Sequence, residues 1–159
     1  SDVCSSDLKV CLGTSAIETK PIIDRIAKRY GSQAVVVSCD VDADGFVRSR
    51  SGQEKTEHRP GDFARIVEQC GAGEILLQHI PSDGTLAGYA LDLIREVSSL
   101  VSIPVIASCG AGEPEDCAEA LRAGAHAVAA GAMFQWTEHT PASVASYLHE
   151  EGFPVRLLA

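Results

Sequence analysis

Aromatic residues are scarce in this chain of 159 residues, only 5%, with a single Trp and a single Met, so any core it builds is aliphatic. Basic residues are outnumbered, 13 Lys and Arg against 22 Asp and Glu, for a formal net charge of −9. Nucleic-acid backbones and anionic membranes demand clustered Lys and Arg, so neither is expected as a partner. A small anionic ligand stays open, because backbone N–H groups and helix N-termini hold one phosphate without net positive charge. Every apolar stretch meets Gly, Pro or a charge well before the ~20 residues of a membrane span, and no cleavable signal is visible, which makes the cytoplasm the expected compartment. The six cysteines, Cys4, Cys11, Cys39, Cys70, Cys109 and Cys117, form no C-x-x-C pair, and no His stands at a zinc-ligand spacing. No metal, disulfide or cofactor is expected, and most of these thiols read as small buried hydrophobes.

What is present is a rhythm. Short apolar segments at 9–12, 34–39, 74–79, 103–108 and 125–130 alternate with amphipathic stretches at 21–30, 60–70, 87–101, 114–123 and 140–150. That is the pattern of parallel strands buried on both faces and joined by helical crossovers. Pro21, Pro60 and Pro114 sit where first-turn prolines belong, and Gly31, Gly71 and Gly124 where a helix would end. Residues 46–51 and 53–57 flank Ser51-Gly52 like a small hairpin inserted after the second strand. Five such units fit either an open doubly wound sheet or part of a (β/α)8 barrel. No G-x-G-x-x-G follows the first strand, so a dinucleotide fold has nothing specific behind it. A complete barrel takes roughly 250 residues. Residues 1–8 (SDVCSSDL) read as translated sequencing-adapter sequence, with the orderly domain expected over 9–159 and the natural gene expected to run further upstream.

Active sites of parallel α/β barrels gather at the C-terminal strand ends. There the chain places Gly13-Thr14-Ser15, Asp40, Ser82-Asp83-Gly84-Thr85, 108–112 (SCGAG) and Ala130-Gly131-Ala132. Three of these are small-residue turns leading into helices, where backbone N–H groups can approach an oxyanion. Their occurrence after consecutive strands describes a phosphate cradle. Asp40 closes the apolar run VVVSCD, where a carboxylate would project into the mouth and serve as general acid or base. A solvent-facing carboxylate or helix cap is the bland alternative for Asp40, and a turn role is equally open for Asp83. His79 ends a strand but reads as a core or loop residue; His58 has nothing nearby to make it a ligand or base, and His126, His139 and His149 read as surface positions.

These segments resemble a known family, the cyclase subunits of imidazole glycerol phosphate synthase. The likeness runs over residues 9–158 and is carried by GSQAVVVSCD (31–40), GAGEILL (71–77), DGTLAGY (83–89), IPVIASCGAG (103–112) and GFPVRL (152–157), in order and at the right spacing. It implies strands four to eight of a (β/α)8 barrel. It also implies a reaction in which ammonia from a glutaminase partner cleaves and cyclises a doubly phosphorylated aminoimidazole nucleotide, with two aspartates as general acid and base. Asp40 matches the second of these; the first would lie upstream. By the same resemblance Gln78, Asp83, Gly84, Ser108, Cys109, Gly110, Ala130, Gly131 and Ala132 line or flank a phosphate site. Gly13 and Thr14 would face substrate, and Lys9 and Glu74 would ring the ammonia entrance, although a plain salt bridge is the bland reading of that pair.

Some positions depart from the pattern. Cys109 stands where glycine is usual, and its β-carbon narrows a loop that must approach a phosphate. Gln78 and His79 replace small hydroxyl residues, Pro81-Ser82 an acidic-basic pair, and Gln135 stands near the usual His. A paralogue supporting amidination of a bacterial surface sugar is the first alternative, with AHAVAAGAMF (125–134) leaning that way and FPVRL (153–157) leaning back. A non-catalytic phosphate-binding fragment is the second, since five strands cannot close an eight-stranded barrel. The 159 residues alone are expected to lack cyclase activity.

Overall fold

The computed structural model describes residues 8–157. The adapter-like segment up to residue 7, Cys4 within it, and residues 158–159 at the end of the expected domain lie outside the described residues. In chain order the elements are β1 (Val10–Leu12), α1 (Thr14–Glu18), α2 (Pro21–Tyr30), β2 (Val35–Val41), β3 (Val47–Ser49), β4 (Glu54–Lys55), α3 (Pro60–Gln69) and β5 (Glu74–His79), followed by α4 (Leu91–Leu100), β6 (Val105–Ser108), α5 (Pro114–Arg122), β7 (Ala127–Ala129), α6 (Ala132–Trp136) and α7 (Pro141–Glu150). Strands β1, β2, β5, β6 and β7 are parallel neighbours in that order. Each new strand adds on the same side as the last, without the reversal that defines a doubly wound sheet. The β3–β4 hairpin is antiparallel and extends the sheet beside the upper end of β2, where Asp40 faces Arg48.

The sheet is two-faced. Val35, Val37, Cys39 and Val41 of β2, Ile75 and Leu77 of β5, and Val105 and Ala107 of β6 are buried against Ile23, Phe63, Val67, Ile94, Val97 and Cys117 of the helices. With the side-chain period of two, the alternate residues Val36, Ser38 and Asp40, Glu74, Leu76 and Gln78, and Ile106 and Ser108 point to the other face. The expectation of burial on both faces holds in full only for the helical side: Leu76, Gln78, Ile106 and Ser108 are half-buried.

Several boundaries moved. The helix expected over 87–101 begins only at Leu91, because Gly88 takes φ +92° and donates its N–H to Gly110 O at 2.8 Å, a contact distant in sequence. Strands at 103–108 and 125–130 are shorter than expected, at Val105–Ser108 and Ala127–Ala129. Helices α1 and α6, five residues each, fall outside the expected helical stretches. Asp40 does not end its strand; β3 pairing prolongs β2 to Val41. The prolines at 21, 60 and 114 do start helices, and Gly31, Gly71 and Gly124 have positive φ. Among the described cysteines only Cys39 and Cys117 are buried, while Cys70 and Cys109 are half-buried and Cys11 is exposed.

Candidate functional site

One rung of the sheet organises the site. Asp40 pairs in register with Gln78, Gln78 with Ser108, and Ser108 with Ala129, so three polar side chains line up on the inner face just below the loops. Asp40 Oδ1 accepts from Ser38 Oγ and, at 2.7 Å, from Gln78 Nε2, which also donates to Ser38 Oγ at 3.0 Å. Ser38 was missed in the sequence, although its place two residues before Asp40 on the same strand puts it on the same face.

Above the rung lies a cavity of about 280 Å³ lined by Gln78, Asp83, Gly84, Ser108, Cys109, Gly110, Ala111, Ala129, Ala130, Gly131 and Ala132. A second, of about 340 Å³, is lined by Asp40, Ser51, Gly52, Gln78, Ile80, Asp83 and Cys109. Gln78, Asp83 and Cys109 border both, so Asp40 and the small-residue loops open on one mouth. The structure thus brings together nearly all the residues read as phosphate-lining. Ser51, Gly52 and Ile80 join them unforeseen, because the hairpin tip meets the mouth only through tertiary folding.

The loop amides differ in how they are used. Among the described residues the N–H groups of Gly84, Gly110 and Gly131 donate to no one. By contrast Gly112 and Glu113 both donate to Asp116 Oδ2, at 2.8 and 3.0 Å, so the start of α5 is already occupied by its own carboxylate. Gly110 has φ +105° and a β-carbon there would meet Gly88 O at 2.1 Å, whereas nothing lies within 4 Å of one at Gly131 or Gly84. Gly110 is therefore demanded by packing between loops, and Gly131 by nothing within the described fold; its open side faces the cavity. Cys109, with φ +76°, borders the same space, and burial pushes its thiol up to about 11, chiefly against the carboxylates of Asp83 and Asp40 among charged neighbours. A neutral thiol does not repel an anion.

Two predicted contacts are absent from this mouth. Thr14 Oγ1 accepts the Arg50 N–H at 2.8 Å, so its hydroxyl is tied to the hairpin, and neither Gly13 nor Thr14 lines the two cavities. Lys9 and Glu74 form an ion pair at the N-terminal ends of β1 and β5, on the opposite end of the sheet from Asp40. His79 turns toward the helices instead, its Nδ1 2.7 Å from Ser82 Oγ, and burial lowers its pKa. Nor are all the other histidines surface groups: His139 is half-buried, its Nε2 2.7 Å from Glu113 Oε2. Asp42 serves structure, accepting from the Phe46 and Asp44 N–H groups and from Arg48 Nε at 2.6 Å, and the Phe46 N–H above all holds its carboxyl below the usual range. Among the described residues no group of three or more His, Cys, Asp or Glu could hold a metal ion, and no helix is long and apolar enough to cross a membrane.

Comparison with known proteins gives the same direction. The family model described as "Histidine biosynthesis protein" matches residues 5–140. The chain is 44% identical over 153 residues to "Imidazole glycerol phosphate synthase subunit HisF" of Chlorobium phaeobacteroides (strain BS1), covering 94% of this chain and 61% of that protein. It is 43% identical to the protein of the same description from Dehalococcoides mccartyi (strain BAV1), with 60% of that protein covered, and 41% to that of Prosthecochloris aestuarii, with 61% covered. The chain thus spans about three fifths of the length of these curated relatives. With its inner-face carboxylate, its free loop amides and a family match over most of its length, the chain belongs to the histidine biosynthesis protein family.

Proposed function

We propose that the full-length protein is the cyclase subunit of imidazole glycerol phosphate synthase, and that this chain supplies strands four to eight of its (β/α)8 barrel. The unreversed parallel strand order and the inner face, half-buried at β5 and β6, support the barrel. The observation that carries the function is the meeting of Asp40 with the unused amides of Gly84, Gly110 and Gly131 around one mouth. These amides cradle one phosphate of a phosphoribulosyl-formimino aminoimidazole carboxamide nucleotide, with α6 directing its N-terminus there. Asp40 then exchanges protons with the reacting atoms as ammonia attacks and the ring closes, releasing imidazole glycerol phosphate and the aminoimidazole carboxamide ribotide. A second aspartate is expected at the end of the barrel's first strand. Ammonia comes from a glutaminase partner docked at the end where Lys9 and Glu74 pair.

The test is ammonia-dependent turnover of the full-length protein. Asp40→Asn is expected to lower kcat by about 10²-fold or more while phosphate-ester binding persists. Undiminished turnover in that variant overturns the assignment. The 159 residues alone are expected to give none.

A further inference from the structure

The contacts around Asp40 are lopsided. Ser38 and Gln78 both donate to Oδ1, and Gln78 uses its second N–H to hold Ser38, which closes a three-membered ring of hydrogen bonds. Oδ2 receives no donor among the described residues, and Asp40 borders the cavity beside Cys109 and Asp83. Because Gln78 and Asp40 are register partners on adjacent parallel strands, the sheet holds their backbones side by side and keeps the amide within reach of the carboxylate. Only Nε2 can face the carboxylate, since Oε1 in its place would set two acceptors against each other.

We propose that Gln78, acting through Asp40 and with Ser38, is a positioning residue that gives the two carboxylate oxygens different duties. Oδ1 is kept as a permanent acceptor, and a proton placed there would oppose two donors. Proton exchange is therefore confined to Oδ2, the oxygen to which no described residue donates. This replaces the substrate-binding role that the family resemblance implies for position 78, and it rests on the reading of Asp40 as an acid–base group. An amide suits the task because it presents two donors at once, one to the carboxylate and one to the hydroxyl that also serves it, where a hydroxyl at position 78 would offer one.

Steady-state kinetics of the full-length protein with ammonia test the proposal. Gln78→Leu is expected to lower kcat about 10- to 100-fold with KM for the phosphorylated substrate within about twofold. Gln78→Thr, which returns one donor, recovers most of that loss. Gln78→Glu moves the acid limb of the kcat–pH profile upward by about one pH unit or more, because two carboxylates on one rung share a proton. A KM that rises about tenfold with kcat unchanged makes Gln78 a substrate ligand and overturns the proposal, as does a pH profile that does not move. If the wild-type protein shows no turnover, the functional reading fails separately. The hydrogen-bond ring is then read from the Gln78 side-chain amide signal by NMR. Asp40→Asn should shift that signal and speed its solvent exchange; an unaltered signal refutes the ring.

Discussion

Two glycines in neighbouring loops make opposite demands. At Gly110 a β-carbon would meet a backbone oxygen at 2.1 Å with φ at +105°, so Gly110→Ala is expected to destabilise the fold by about 1–3 kcal/mol, seen as a lower urea midpoint. At Gly131 nothing opposes the methyl group. Gly131→Ala should leave the midpoint nearly unchanged while weakening binding of inorganic phosphate, followed by calorimetry. Equal effects on stability and binding in both variants would sink the distinction between a packing glycine and a ligand-facing one. Cys109 adds a pH test. Its thiol is pushed from 9.0 up to about 11, so its contribution to stability is intact below the lower value and is lost as pH climbs through the higher one. The wild-type protein should therefore lose more stability across that window than Cys109→Ala, a difference that denaturation at the two pH values would reveal. Buried Cys39 and Tyr89 shift in the same direction in both proteins and cancel in the comparison.

The hairpin shows what local pattern can and cannot reveal. Ser51-Gly52 marked the turn correctly, and Arg50, Ser51 and Gly52 all have positive φ. Nothing local could show that Arg50 would reach back to Glu18 at 3.0 Å and give its N–H to Thr14, or that the tip would border the mouth. Thr14→Val removes that acceptor at a local cost of about 1 kcal/mol. Faster amide exchange confined to residues 47–55, with the melting temperature nearly constant, is the expected result. The same division runs through the other elements. Residues 21–30 and 74–79 were legible to the residue, because proline at the start, glycine or a loop at the end and an unbroken apolar period all agree. The first turn of α4 was not, since it yields to the Gly88–Gly110 contact. At the site, the small-residue loops and Asp40 were legible from their places at strand ends. Ser38 and the tie on Thr14 needed the register and the hairpin.

At the scale of the molecule, the ion pair of Lys9 with Glu74 and the mouth around Asp40 occupy opposite ends of the same strands. Under the proposed function, Lys9→Ala should depress turnover driven by a glutaminase partner while turnover with free ammonia is kept; equal losses from both sources would remove any role in delivery. Between the two ends runs β2, paired with β1 and β3 along one edge and with β5 along the other. Its central amides, held between β1 and β5, are expected to exchange late. Asp40 thereby stands on the strand of the sheet with partners on both edges, so loosening of the loops above it leaves the backbone that carries the carboxylate in place.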